Sequence, residues 1–226
     1  MADPRRYENP PWLEDAIRNG PPKRTAERDA RRALWAERGF ERKAAIDRVP
    51  RTYRDAPLGE LFQRVRDQRL RRWAEIHDAS RGAVLLGPAD SGKSTAAAIT
   101  VLRRIRQACL DPDSSRWQRV QRVSWKTAVE LERLRATDGD FRDDPPELFE
   151  CKTIGLLVIQ DLGNASRDSI ASQVLDARYE HKLPTIITTG ATLAHFDRLP
   201  IPLVKRIFRQ RGVEVPVVDL WSADDR

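Results

Sequence analysis

The stretch Gly87-Pro88-Ala89-Asp90-Ser91-Gly92-Lys93-Ser94-Thr95 follows the apolar run Ala83-Val84-Leu85-Leu86 and opens a long helical pattern. It fits G-x-x-x-x-G-K-[ST] between a strand and a helix, the context in which that spacing builds a phosphate cradle. Glycines at 87 and 92 remove side chains that would block a close approach to the backbone. The loop's N–H groups, those of Ala89, Asp90 and Ser91 included (Pro88 has none and only shapes the turn), then face an anion together with the helix N-terminus. Lys93 is expected to supply positive charge to the β- and γ-phosphates. Ser94 is expected to supply a hydroxyl for Mg²⁺, with Thr95 beside it. The implied ligands are ATP and Mg²⁺.

Outward from this loop, buried apolar strands and helices alternate. The helix opened by Lys93 runs to Leu110, where Asp111-Pro112 ends it. A strand is predicted over 120–125 and a helix over 126–135. An acidic loop over 138–146 ends in two prolines. Further strands are predicted over 156–159, 184–189 and 213–218, the last at an edge because of Pro216. Strands of this kind alternating with helices predict an α/β fold, a parallel sheet of about five strands covered by helices on both faces.

The strand at 156–159 ends in Gln160-Asp161-Leu162-Gly163. A carboxylate there faces the metal and the terminal phosphate of a bound nucleotide. Asp161 is therefore the candidate Mg²⁺ partner and the candidate catalytic acid.

Residues 1–48 have a different texture, charged and poor in large apolar side chains. They read as an N-terminal arm, with a core domain over 49–226. Trp12, Leu13, Ala16 and Ile17 share one face of a short helix that needs a surface to dock on. A second helix is predicted over 25–38, closed by Gly39. Lys23, Arg24, Arg28, Arg31 and Arg32 are candidate DNA contacts, or simply a solvated face. Past the arm, a helix is predicted over 58–79, with Leu61, Phe62, Val65, Leu70, Trp73 and Ile76 buried.

The 226 residues carry 41 Lys+Arg against 34 Asp+Glu, a net charge of +7. Such a balance favours a polyanionic partner or reflects an arginine-rich solvated surface. Cys109 and Cys151 are far apart and lack ligand spacing, which argues against a metal-binding or disulfide framework. The apolar runs are too short to span a membrane, and no signal peptide is evident, so a cytoplasmic location is expected. His77, His181 and His195 receive no role.

Together these blocks resemble the DnaC/IstB-type branch of the AAA+ ATPases, the helicase loaders and transposition helpers. The likeness covers residues 49–220. It is carried by Val49-Pro50-Arg51-Thr52-Tyr53-Arg54, the phosphate loop, Leu156-Leu157-Val158-Ile159-Gln160-Asp161-Leu162-Gly163, Leu183-Pro184-Thr185-Ile186-Ile187-Thr188-Thr189-Gly190, and Lys205-Arg206-Ile207. It implies an AAA+ core, ATP with Mg²⁺, a homo-oligomer when ATP is bound, and Arg206 as a trans arginine finger. Lys205, Arg209 and Arg211 compete for that last role. It also implies single-stranded DNA and a replicative helicase or transposase-type protein as partners, and puts Tyr53 near the adenine or in packing.

Two positions depart from the family. Gln160 stands where the first of two acids is usual, and Gly190 where an asparagine is usual, with only the Thr188 and Thr189 hydroxyls before it. The expectation is tight ATP binding with slow or partner-stimulated hydrolysis. The alternative is an ATP-dependent binding module with negligible turnover. A small-molecule kinase would need an arginine-bearing lid that the sequence does not display.

Overall fold

The computed structural model of the chain describes residues 26–111, 113, 122–134, 144–163, 169–196, 201–210 and 213–221. Five short helices come first: α1 (Ala26–Glu37), α2 (Gly39–Asp47), α3 (Arg51–Arg54), α4 (Leu58–Arg64) and α5 (Gln68–Ile76). Then follow β1 (Ala83–Leu86), α6 (Lys93–Leu110), β2 (Val123–Thr127), α7 (Ala128–Arg133), α8 (Pro146–Thr153) and β3 (Leu156–Gln160). The remaining elements are α9 (Ile170–Glu180), β4 (Thr185–Thr189), α10 (Leu193–Phe196), α11 (Ile201–Phe208), β5 (Arg209–Gln210), β6 (Val213–Glu214) and β7 (Val217–Asp219).

The main sheet has five strands in the order β2-β3-β4-β1-β7, all parallel. Residue parity assigns its two faces. Ala83, Leu85, Leu156, Val158 and Ile186 join α6 and the helices before β1 in one apolar cluster. Val84, Leu86, Leu157, Ile159 and Ile187 join α8, α9 and α11 in the other. Alternate side chains of each strand are thus buried on opposite faces, which is why these strands read as unbroken apolar runs. Each fully buried Leu or Ile contributes about 1.5–3 kcal/mol relative to exposure.

The helix expected over 58–79 is two helices. Val65 turns extended between α4 and α5, and the Asp67 carboxylate restarts the chain by accepting from the backbone N–H groups of Arg69 (2.7 Å) and Leu70 (3.3 Å). Leu61, Val65, Leu70 and Trp73 are buried as expected. Ile76 is not. It is the last residue of α5 and is 73 % exposed, off the face on which Leu70, Trp73 and Ala74 are buried.

The strand expected over 213–218 is also divided. Val213 and Glu214 pair antiparallel with β5, while β7 pairs with β1 at the edge of the main sheet. Pro216 separates them, and its carbonyl still accepts from Val84 N–H at 3.0 Å.

Gly39 does not close the arm helix. It begins α2, which carries the chain onto α6. Ala45 and Val49 enter the first apolar cluster. Buried Arg38 donates from Nη1 to the carbonyls of Ala108 (3.1 Å), Cys109 (3.2 Å) and Asp111 (2.7 Å). These carbonyls lie at the negative end of α6, where Ala108 O also accepts from Asp111 N–H at 3.2 Å, so a guanidinium is well placed there. The Trp12–Ile17 face lies outside the described residues, as do Lys23 and Arg24. Arg31 and Arg32 are exposed on α1. Among the described residues, no helix is long and apolar enough to cross a membrane.

Candidate nucleotide site

The loop from Gly87 to Gly92 joins the carboxyl end of β1 to the N-terminus of α6, as the sequence predicts. Gly87 has φ +152° and Gly92 φ +90°, both in the region that favours glycine. Space demands glycine as well. A Cβ on Gly87 would lie 2.7 Å from Leu220 Cβ, and one on Gly92 would lie 3.3 Å from Val65 Cα. Asp90 also takes a left-handed turn, φ +57°. Pro88, Ala89 and Asp90 are exposed, Ser91, Gly92, Ser94 and Thr95 are half-buried, and Gly87 and Lys93 are buried.

Lys93 is 6 % exposed. Its ammonium donates to Gly87 O at 2.7 Å, Pro88 O at 2.5 Å and Ser91 Oγ at 3.2 Å. Burial pulls its pKa down, while Asp161 and Asp90 push it back up. These contacts are to neutral oxygens of the loop itself, and among the described residues no carboxylate is bonded to Lys93. Such a group, at the positive end of an 18-residue helix, fits a multiply charged phosphate chain. The loop thus passes on donors, steric room and charge.

Asp161 follows β3 directly and is exposed, in a left-handed turn with φ +55°. Aspartate tolerates that conformation better than most residues. Two threonines of β4 brace the turn. Thr188 Oγ1 accepts from Asp161 N–H at 3.2 Å, and Thr188 O accepts from Leu162 N–H at 2.9 Å. Thr189 donates through Oγ1 to Leu162 O, and Thr189 Oγ1 itself accepts from Ala191 N–H at 3.1 Å. The hydroxyls that precede Gly190 are therefore engaged in holding the loops on which Asp161 and Gly190 sit. Asp161, Gly163, Thr189, Gly190, Thr192 and His195 are among the residues lining a cleft of about 420 Å³ at this end of the sheet.

Gln160 is turned between two partners. Trp125 Nε1 donates to its Oε1 at 3.0 Å, and its Nε2 donates to Asp161 Oδ2 at 3.2 Å. Gln160 thus sits in a defined hydrogen-bonded setting.

Tyr53 does not stand apart as a free adenine platform. Its ring lies 5.7 Å from that of Trp125, and its hydroxyl is within hydrogen-bonding reach of Ser94. Burial raises its pKa, the Ser94 contact lowers it, and the charge of Asp161 raises it further. The Mg²⁺ set expected from the sequence, Ser94 and Asp161, therefore shares this neighbourhood with Tyr53. Among the described residues, no group of three or more His, Cys, Asp or Glu side chains forms a metal-binding cluster. Two neutral or singly charged oxygen donors fit Mg²⁺ that keeps waters and leans on phosphate oxygens.

Arg206 stands on α11, away from the loop in sequence and engaged in cis, its Nε paired with Asp176 Oδ1 of α9. Lys205 is exposed beside it, and Arg211 lies outside the described residues. Sequence reasoning passed over Trp125 and His195. Only strand register brings Trp125 to Gln160: Thr127 is opposite Gln160, and Trp125 is two residues earlier on the same face.

No protein-family model matches the chain, and no curated protein matches it. Solved structures do. The chain is similar to DnaI, at 19 % identity over 70 % of this chain and 80 % of that one, TM-score 0.46. It is similar to the DnaC helicase loader, at 19 % identity over 75 % of this chain and 100 % of that one, TM-score 0.49. AMPPCP-bound DnaA from Aquifex aeolicus is similar at 13 % identity over 68 % of this chain and 45 % of that one, TM-score 0.45. The fold itself stands on the strand pairing and loop geometry given above. The chain has a P-loop α/β fold, with a five-stranded parallel sheet covered on both faces and the phosphate loop at the carboxyl end of a strand inside that sheet.

Proposed function

We propose that the chain is an ATP-binding, AAA+-type accessory protein of DNA replication or transposition, of the helicase-loader kind, with slow or partner-stimulated ATP hydrolysis. The observation that carries this reading is buried Lys93, its ammonium bonded, among the described residues, only to neutral loop oxygens, at the head of α6 in a loop where glycines make room. A bound Mg·ATP would supply the phosphoanhydride bond and the cation that neutralises its oxygens. Lys93 would exchange loop carbonyls for phosphate oxygens, and the N–H groups from Gly87 to Ser94 would orient them. Ser94 and Asp161 would hold the metal, with Asp161 also orienting water.

Arg206 would act on the nucleotide of a neighbouring copy once freed from Asp176. Single-stranded DNA is proposed for the basic surface, and a helicase or transposase-type protein for the N-terminal arm over residues 1–48. A cytoplasmic location accompanies this role.

A second reading, an ATP-dependent binding module with negligible turnover, is favoured by specific contacts. Gln160 brings an amide rather than a carboxylate beside Asp161, the Thr188 and Thr189 hydroxyls are engaged in bracing loops, and Arg206 is held in cis. Steady-state turnover by purified protein, with and without single-stranded DNA, separates the two. DNA-stimulated hydrolysis that Lys93→Ala abolishes supports the ATPase. Binding without turnover in both conditions supports the module. A rate near 10 s⁻¹, about the median for enzymes, contradicts slow turnover.

A further inference from the structure

We infer that Gln160, fixed by Trp125, is a positioning residue that orients the Asp161 carboxylate, and is not itself a metal ligand. The inference rests on the nucleotide reading above. It begins with two hydrogen bonds that meet on one amide. Trp125 Nε1 reaches Gln160 Oε1 at 3.0 Å, and Gln160 Nε2 reaches Asp161 Oδ2 at 3.2 Å.

An indole nitrogen can only donate, and a carboxylate can only accept. Only one orientation of the amide satisfies both neighbours, so the hydrogen-bond network fixes which end is oxygen. The amide oxygen, the atom by which Gln160 would bind a cation, already accepts from Trp125 through one of its two lone pairs and is drawn toward the indole. The end turned to Asp161 is a donor, which repels a cation and attracts a carboxylate oxygen.

Trp125 is itself held. It is 8 % exposed in the apolar cluster on the α6 face, with Tyr53 stacked at a tilt 5.7 Å away. The Asp161 backbone is pinned from the other side by Thr188 Oγ1. One carboxylate oxygen is thus engaged by Gln160, and the choice of rotamer is taken from solvent and given to the sheet. Hydrogen bonds of this kind set the direction in which a carboxylate meets a metal, and losing one costs about 10-fold or more in metal affinity. An amide also avoids the like-charge repulsion that a carboxylate would suffer 3.2 Å from Asp161 Oδ2.

The test uses the full chain as wild type, Trp125→Phe, Gln160→Leu and the double variant. Indole ¹H–¹⁵N spectra identify Trp125 as the resonance missing from Trp125→Phe, and that resonance is expected to shift in Gln160→Leu. ATP affinity is then titrated in Mg²⁺ and in EDTA. The enhancement by Mg²⁺ is expected to fall about 10-fold in each single variant. The double variant is expected to match the singles, because the residues act in series. Trp125→Phe keeping the wild-type enhancement while Gln160→Leu loses it would overturn the inference, since Gln160 would then act directly. An indole resonance unmoved by Gln160→Leu would overturn it too. Wild type binding no ATP would overturn the nucleotide reading instead, and is told apart because the Trp125 resonance still shifts in Gln160→Leu.

Discussion

Arg206 of α11 is ion-paired through Nε with Oδ1 of Asp176 on α9 of the same chain. Burial pushes the Asp176 carboxyl up, and the Arg206 charge draws it back down. The side chain proposed to reach a neighbour is thus occupied at home. If Arg206 acts in trans, Asp176→Asn frees it and raises ATP turnover at high protein concentration, whereas Arg206→Ala lowers turnover on the order of 1,000-fold. Turnover measured against protein concentration checks both. Equal rates in wild type and Arg206→Ala at every concentration would remove Arg206 from the reaction.

Asp67 caps α5, and its carboxyl is held below the usual carboxylate range, first by Arg69 and then by the backbone N–H groups it accepts. A carboxyl lowered on folding stabilises the fold fully above its unfolded pKa. That contribution fades as pH falls through the lower folded value. Asp67→Ala is expected to cost about 1 kcal/mol at neutral pH. The difference should shrink in acid, read from denaturant melts at pH 7 and pH 3. A constant difference would show that the loss is one of packing.

Much of the fold was legible because the sheet is buried on both faces. Four or five consecutive apolar residues can hardly be anything but such a strand when a glycine loop and a helix follow, as at Ala83–Leu86. The break at Val65 was not legible as a break. Apolar spacing carries on through it, and the extended Val65 is buried close to Gly92 of the loop, a tertiary contact that spacing does not show. Asp67 was the available signal, an N-cap residue inside a supposed helix. In the site, Lys93, Ser94 and Asp161 were visible as local motifs. The contacts of Trp125 with Gln160 and of Arg206 with Asp176 join residues 35 and 30 positions apart, and only the strand order and helix packing create them.

Arg178 is buried to 1 % exposure, and among the described residues no carboxylate is bonded to it. It donates to Thr185 Oγ1 (2.8 Å) and to the carbonyls of Cys151 (2.9 Å), Ile154 (2.8 Å) and Pro184 (2.6 Å), tying α8 and α9 to the start of β4. Burial pulls its guanidinium down to about 9, still charged at neutral pH. Arg178→Met strands these acceptors in the core and is expected to cost about 3 kcal/mol or more. Chemical denaturation measures it. A loss under about 0.5 kcal/mol, the usual range of a surface change, would mean that water replaces the guanidinium.

Gly87→Ala brings a methyl to within 2.7 Å of Leu220 Cβ and strains φ. ATP binding is expected to be lost while the sheet survives. Leu220→Ala is not expected to rescue it, because the clash is with Cβ itself. Binding and far-ultraviolet circular dichroism of the single and double variants test this. Full rescue by Leu220→Ala would show that the rest of the leucine side chain was the obstacle.

The central claim is that the loop around Lys93 holds ATP. Its most direct measurement is equilibrium binding of ATP with Mg²⁺ to the purified chain and to Lys93→Ala, with folding of both verified by their melting curves. Saturable binding by the wild type that falls by about 100-fold or more in the variant, some 2.7 kcal/mol, is the result predicted. Equal binding by the two folded proteins, or none by the wild type, would contradict it.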